Sequence, residues 1–157
     1  MITEITPEEV QAFIPDGAEL EVSLVPTHDV HRVWAQVAPM LEKATAMSEG
    51  RYNISDLARK LASGEFHLWI IFERRGEIIA AITSTFTWYP QSKALSGQFL
   101  GGARLSEWRD KFCNLFDSWG ADNGCQIVEF TGRPGWARAL KDNGYREIYR
   151  TYQRDLR

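Results

Sequence analysis

Gln98-Phe99-Leu100-Gly101-Gly102-Ala103-Arg104-Leu105-Ser106-Glu107-Trp108 opens the stretch that decides the fold, which continues to Trp119. Leu105, Trp108, Phe112, Leu115, Phe116 and Trp119 fall at helical spacing, so its second half is an amphipathic helix with a broad apolar stripe. Phe99-Leu100 is the end of an apolar strand, and the glycines stand between the two elements. Such a junction has two readings. The glycines make a tight strand-to-helix turn, or their bare backbone lets an anion approach N–H groups at the positive end of the helix dipole. A glycine pair alone does not choose between them.

The composition sets the frame around that stretch. The 157 residues are 44% hydrophobic, with six Trp, eight Phe and five Tyr, enough for one domain over 1–157 with a real core. No apolar run approaches the ~20 residues of a membrane span, and the N-terminus lacks a charged-then-apolar leader. Cys113 falls on the long helix and Cys125 opens a strand, without CxxC spacing. Both read as reduced packing residues, and the expected location is cytoplasmic. A net charge of −3 argues against a general nucleic-acid binder. The charge is uneven, because residues 132–157 hold seven Arg or Lys against three acids. That end is either a solvated face or a support for a phosphorylated cofactor or an acidic partner.

In chain order, Thr6-Pro7-Glu8-Glu9 is a helix start, so residues 1–18 form an N-terminal helical extension. Glu19 to Val25 alternates as a first strand. His28 to Ala46 is helical, with Pro39 expected to kink or break it near Val37-Ala38. His28 and His31 lack further ligands at metal spacing and read as surface histidines. Ser48 to Tyr52 is a polar loop, and Asn53-Ile54-Ser55-Asp56 caps a helix that ends at Gly64. Phe66–Arg74 and Glu77–Tyr89 pair through a turn at Arg75-Gly76. Both are apolar on both faces, which implies a central sheet with helices on either side. Ala94 to Leu100 leads into the glycines. After the long helix come a strand from Cys125 to Thr131, a helix from Trp136 to Asn143, and a final strand from Tyr145 to Leu156. Trp69, Ile71, Ile79, Ala81, Phe112, Phe116 and Trp119 are the expected core. The fold class is α/β, a mixed and mostly antiparallel sheet layered with helices.

That order, with Gly101-Gly102-Ala103 opening the long helix and Arg133-Pro134-Gly135-Trp136 leading to Gly144-Tyr145, resembles the GNAT N-acetyltransferases over about residues 19–157. The block around Trp34, Gly50-Arg51-Tyr52 and His67-Leu68-Trp69 is similar to small GNAT-like proteins encoded by bacteriophages. The resemblance implies the acyl-CoA N-acyltransferase fold and acetyl-CoA as cosubstrate, without a metal. It implies an amine of a small molecule or protein as acceptor. It places the pyrophosphate on the loop Leu100, Gly101, Gly102, Ala103 and Arg104, with Arg133 as a further phosphate contact. The family's loop has the form Gln/Arg-x-x-Gly-x-Gly/Ala, and the loop here is Gly101-Gly102-Ala103-Arg104. Leu140 stands where the family commonly has its tyrosine general acid.

Acyl transfer needs a proton acceptor, donors to the thioester carbonyl and a proton for the departing sulfur. Glu129, on the strand after the long helix, is the candidate base, with a sheet residue paired to Arg133 as the alternative. A strand N–H near Phe99 or Leu100 is the candidate carbonyl donor. Tyr52, Tyr145 and Tyr149 are open choices for the acid. The second functional class is a non-catalytic GNAT scaffold of phage origin that binds a virion or host protein. Neither class involves a membrane.

Overall fold

The computed structural model describes residues 20–74, 76–132 and 135–156. The expected N-terminal helix and Arg133 lie outside them. Five strands form one sheet in the order β1-β2-β3-β4-β5. They are β1 (Leu20–Val25), β2 (His67–Glu73), β3 (Ile78–Trp88), β4 (Lys93–Gly102) and β5 (Ile127–Phe130). The first four pair antiparallel and β5 joins β4 in parallel. The helices are α1 (Val30–Thr45), α2 (Ile54–Ala62), α3 (Leu105–Asp122) and α4 (Gly135–Leu140). No helix among the described residues is long and apolar enough to cross a membrane.

The doubly apolar strands bury both faces. On one side α3 lays Trp108, Phe112 and Phe116 against Trp69, Ile71, Ala80, Ile82 and Leu95. On the other, α1 and α2 bring Val37, Leu41, Leu57 and Leu61 to Leu68, Ile70 and Ala81. Of the expected core, Trp69, Ile71, Ala81, Phe112 and Phe116 are buried, while Ile79 and Trp119 are partly buried against the same cluster. Asn53 caps α2 through a reciprocal box with Asp56, at 3.0 and 2.9 Å. Cys113 and Cys125 are free thiols.

Three expectations change. α1 runs through Pro39 without a break. β5 is shorter than the sequence suggests, so Cys125 precedes it. Residues 145–156 are not a strand: they carry no strand assignment, and Ile148, Tyr149, Tyr152 and Leu156 are exposed. Their tyrosines and alternation have strand propensity, but such propensity expresses packing on a neighbouring strand, and among the described residues none pairs with this segment.

Candidate functional site

The site begins with a defect in β4. Ile82 opposes Leu100 and Ser84 opposes Gly97, so Thr83 alone faces both Gln98 and Phe99. This is a β-bulge, which bends the strand and re-aims its side chains. The Phe99 N–H donates to Thr83 Oγ1 at 3.2 Å instead of to a backbone carbonyl. At the same level β4 and β5 part. Their pairing ends at Gly97 and Phe130, with a last bond from the Thr131 N–H to the Gly97 carbonyl at 3.4 Å.

Ladder alternation fixes where the backbone groups of β4 point. The Ala103 N–H bonds to the Ile79 carbonyl at 3.0 Å, which makes 79 and 103 a hydrogen-bonded pair. Ala81 and Gly101 are then another, while the Leu100 and Gly102 N–H groups turn away from β3. They face the side from which β5 has departed.

Beyond them lies the start of α3. Leu105, Gly135, Trp136 and Ala139 line a shallow concavity of about 340 Å³ between α3 and α4. The indole of Trp136 lies parallel to Phe130, with ring centroids 6.2 Å apart, and Phe130 stacks on Phe116 at 5.3 Å. Gly97 makes this possible, because a Cβ there would sit 2.1 Å from the Phe130 ring. The N–H groups of Leu105 and Ser106 have no intrahelical acceptor and complete the donor set.

The glycine pair has a packing reason of its own. A Cβ on Gly101 would meet the Met40 carbonyl oxygen of α1 at 2.1 Å. On Gly102, at φ +124°, it would meet the Ile79 carbonyl oxygen at 2.3 Å. Both residues belong to β4, and the Ala103 N–H is committed to β3. Arg104 caps α3 in the left-handed region at φ 62°. Its guanidinium bonds Glu107 at 2.6 and 3.0 Å and Glu73 at 3.0 Å. The same contact holds the Glu107 carboxyl below its ordinary range.

Glu129 pairs with Ser96 across the β4–β5 ladder, one residue before the strands part. Its Oε1 accepts the Ser96 and Tyr89 hydroxyls, each at 2.7 Å, and Ser96 Oγ lies 2.7 Å from Thr87 Oγ1. The bond to Glu129, followed by partial desolvation, pushes the Tyr89 phenol up to about 12. Strand alternation points Glu129 away from Val128 and Phe130, which pack on the α3 side, and so toward the α1 side.

Tyr52 lies on that same side, in the α1–α2 loop, its ring edge-on to Phe99 at 5.2 Å. Its N–H donates to Ser48 Oγ at 3.0 Å, which fixes the loop. Tyr145 is on the opposite side, packed on Phe130 with centroids 5.4 Å apart. Its hydroxyl is enclosed and has no partner among the described residues, and burial raises its pKa. The structure therefore brings Tyr52 and Glu129 to one face and sets Tyr145 on the other. Tyr149 is exposed. Sequence reasoning missed Gln98, Ser96, Tyr89 and the bulge. Ser96 and Gln98 could have been read from their two-residue spacing on β4, but the bulge has no signal beyond Gly97.

No protein-family model matches the sequence, and no match was found among curated proteins. Solved structures do match. A GNAT family acetyltransferase from Staphylococcus aureus superposes with a TM-score of 0.61 at 11% identity, over 88% of this chain and 99% of that one. The chain has the GNAT fold. A predicted acetyltransferase from Clostridium acetobutylicum, solved with acetyl-CoA, matches the GNAT-fold chain with a TM-score of 0.61 at 12% identity, over 87% and 96%. A transcriptional regulator from Bacillus halodurans matches at 0.62 and 14%, over 87% and 99%. At such identities the likeness is one of fold.

Proposed function

We propose that this GNAT-fold chain is an N-acetyltransferase that moves an acetyl group from acetyl-CoA to an amine of a small molecule or protein. One observation carries the reading: β4 and β5 part where the Leu100 and Gly102 N–H groups point outward, beside the concavity at Trp136. Backbone donors aimed at an opening are what a polarised acyl carbonyl requires. Acetyl-CoA would supply an acyl thioester. Leu100 N–H donates to the carbonyl oxygen as charge develops there. The N–H groups at the start of α3 face the phosphates, with Arg104 and Arg133 as candidate cationic contacts. Glu129 takes the proton that the attacking ammonium must lose. Tyr52 is the better placed proton donor to sulfur, because the Tyr145 hydroxyl is enclosed on the other side of the sheet.

A second reading has its own support. Glu73 and Glu107 already occupy Arg104 at the first turn of α3. Gly101 and Gly102 are required by packing whether or not a phosphate binds. The chain would then be a binding scaffold of phage origin, directed at a virion or host protein. Calorimetric titration separates the two. Heat on adding acetyl-CoA to the full chain is the expected result. Its absence at millimolar acetyl-CoA removes the enzyme reading.

A further inference from the structure

Asn143 Oδ1 and the Tyr145 hydroxyl, at the start of the C-terminal segment, are buried atoms without a partner among the described residues. Such atoms give up hydration and gain nothing for it, so two of them side by side need a reason. Both sit over one stripe of α3. Asp110, Cys113 and Asp117 follow at helical spacing along that stripe. Asn143 Nδ2 donates to Asp110 Oδ1 at 3.1 Å. The Tyr145 phenol faces Cys113 and Asp117, which add to burial in raising its pKa. Cys113 is buried in the cluster on which the Tyr145 ring packs.

Little else holds the chain beyond this point. The last backbone hydrogen bond toward the C-terminus runs from the Gly144 N–H to the Lys141 carbonyl at 3.3 Å. Among the described residues, the side-chain bonds of 146–156 stay within the segment, from Arg150 to Glu147 and from Gln153 to Asp155. Gly144 stands at φ +83°, and a Cβ there would meet nothing within 4 Å. The turn therefore has open space around it, and the chain can swing there without a clash. What keeps residues 145–156 on the body is the Tyr145 ring, set against Phe130.

Ring burial and the two orphaned atoms oppose one another. Withdrawing the ring exposes apolar surface, but the water that enters solvates both Asn143 Oδ1 and the hydroxyl. The closed state is favoured by a narrow margin, and a segment with so few tertiary bonds opens far more often than the core. We propose that residues 145–156 are a strap, hinged at Gly144 and latched by Tyr145, that opens while the rest of the fold stays intact. Opening uncovers Phe130 and Cys113. Because Phe130 also stacks on Trp136, the concavity between α3 and α4 then extends along that ring toward Cys113. The strap sets the depth of the concavity whether or not the chain transfers acetyl groups.

The test uses Cys125→Ser in the full chain, which leaves Cys113 as its single thiol. The probe is dithionitrobenzoate. Cys113 loses its proton to solvent and its thiolate attacks the probe's disulfide; a mixed disulfide forms, and thionitrobenzoate leaves and is read by its colour. In the closed state burial pushes the Cys113 thiol up to about 11, so the reaction reports the open state. Labelling is expected without denaturant, at a rate that low urea hardly changes, because a local opening exposes little surface. Tyr145→Phe keeps the latch ring and removes the unpaired hydroxyl, so it should slow labelling about tenfold. Tyr145→Ala removes the latch and should speed labelling by at least about tenfold. Labelling whose urea dependence matches that of global unfolding would overturn the proposal. So would a Tyr145→Phe chain that labels as fast as its parent or faster, since the hydroxyl would then be bonded in the closed state. If Tyr145→Ala does not fold, the urea dependence and Tyr145→Phe decide the question by themselves.

Discussion

Ser84 shows how much a single residue settles. Its Oγ lies 2.9 Å from Trp69 Nε1 and 2.8 Å from His67 Nδ1. An indole N–H only donates, so Ser84 Oγ accepts it, and the same hydroxyl shares a hydrogen bond with His67 Nδ1. His67 is held edge-on to Phe86 and Trp119. Burial lowers its pKa to about 4 from an ordinary 6.5. The folded protein then binds this proton less readily than the unfolded chain. The stability involved is fully present above pH 6.5 and is lost as the pH falls toward 4. Because the ring is partly exposed, the loss should be about 2 kcal/mol, not the full unscreened value. Denaturant melts of the wild type should weaken over that window. Those of His67→Gln should be flatter there, and equal slopes would refute the assignment. Glu129 makes the second prediction at this scale. Glu129→Gln keeps the shape that Ser96 and Tyr89 bond, so acetyl-CoA should bind as before. Turnover should drop ~10²–10⁴-fold if the carboxylate takes the proton. Calorimetry and thiol release read the two effects separately.

At the scale of elements, the β4–α3 junction carries two functions in the sequence and one demonstrable constraint in the structure. Replacing Gly102 by Val asks for a side chain at φ +124° and 2.3 Å from a carbonyl oxygen of β3. The expected result is a loss of stability of at least ~2 kcal/mol, seen as a lower melting temperature. Loss of acetyl-CoA binding in that variant would therefore say nothing about phosphate. Glu107→Gln is the cleaner probe. It removes a charge from the first turn of α3 and leaves the backbone intact, so it should tighten acetyl-CoA binding, by a factor of about 2–5. Weaker binding would mean that the phosphates do not sit there. The strand, the glycines and the helix were legible because the apolar period changes from two to 3.6 at Ala103. The reason for the glycines was not, because Met40 and Ile79 reach them only through the tertiary fold. Nor was the survival of α1 past Pro39. That helix is held by Val37 and Leu41, both fully buried, and packing overrode the local breaker.

Across the whole molecule, stability resides in the two layers either side of the sheet. Phe116 is fully buried between Trp69, Phe112 and Phe130. Phe116→Ala should cost ~3–5 kcal/mol. The C-terminal segment is the opposite case. The sequence reads residues 145–156 as a strand, and strand propensity would make them an integral part of the sheet. The structure gives them no ladder, and every side chain from Arg146 to Leu156 is exposed. Tyr145 is different, since its ring packs on Phe130 and keeps that residue covered. A chain ending after Arg146 retains that contact, and the described residues it loses, 147–156, are all exposed. Removing surface that buries nothing changes stability little, and for a chain of this length 1 kcal/mol corresponds to ~2–4 °C. The shortened chain should therefore melt within about 3 °C of the full one, whereas ending it before Tyr145 should lower the melting temperature further, by uncovering Phe130. If the cut after Arg146 alone cost as much as Phe116→Ala, residues 147–156 would be paired in solution, and the strand read from the sequence would be restored.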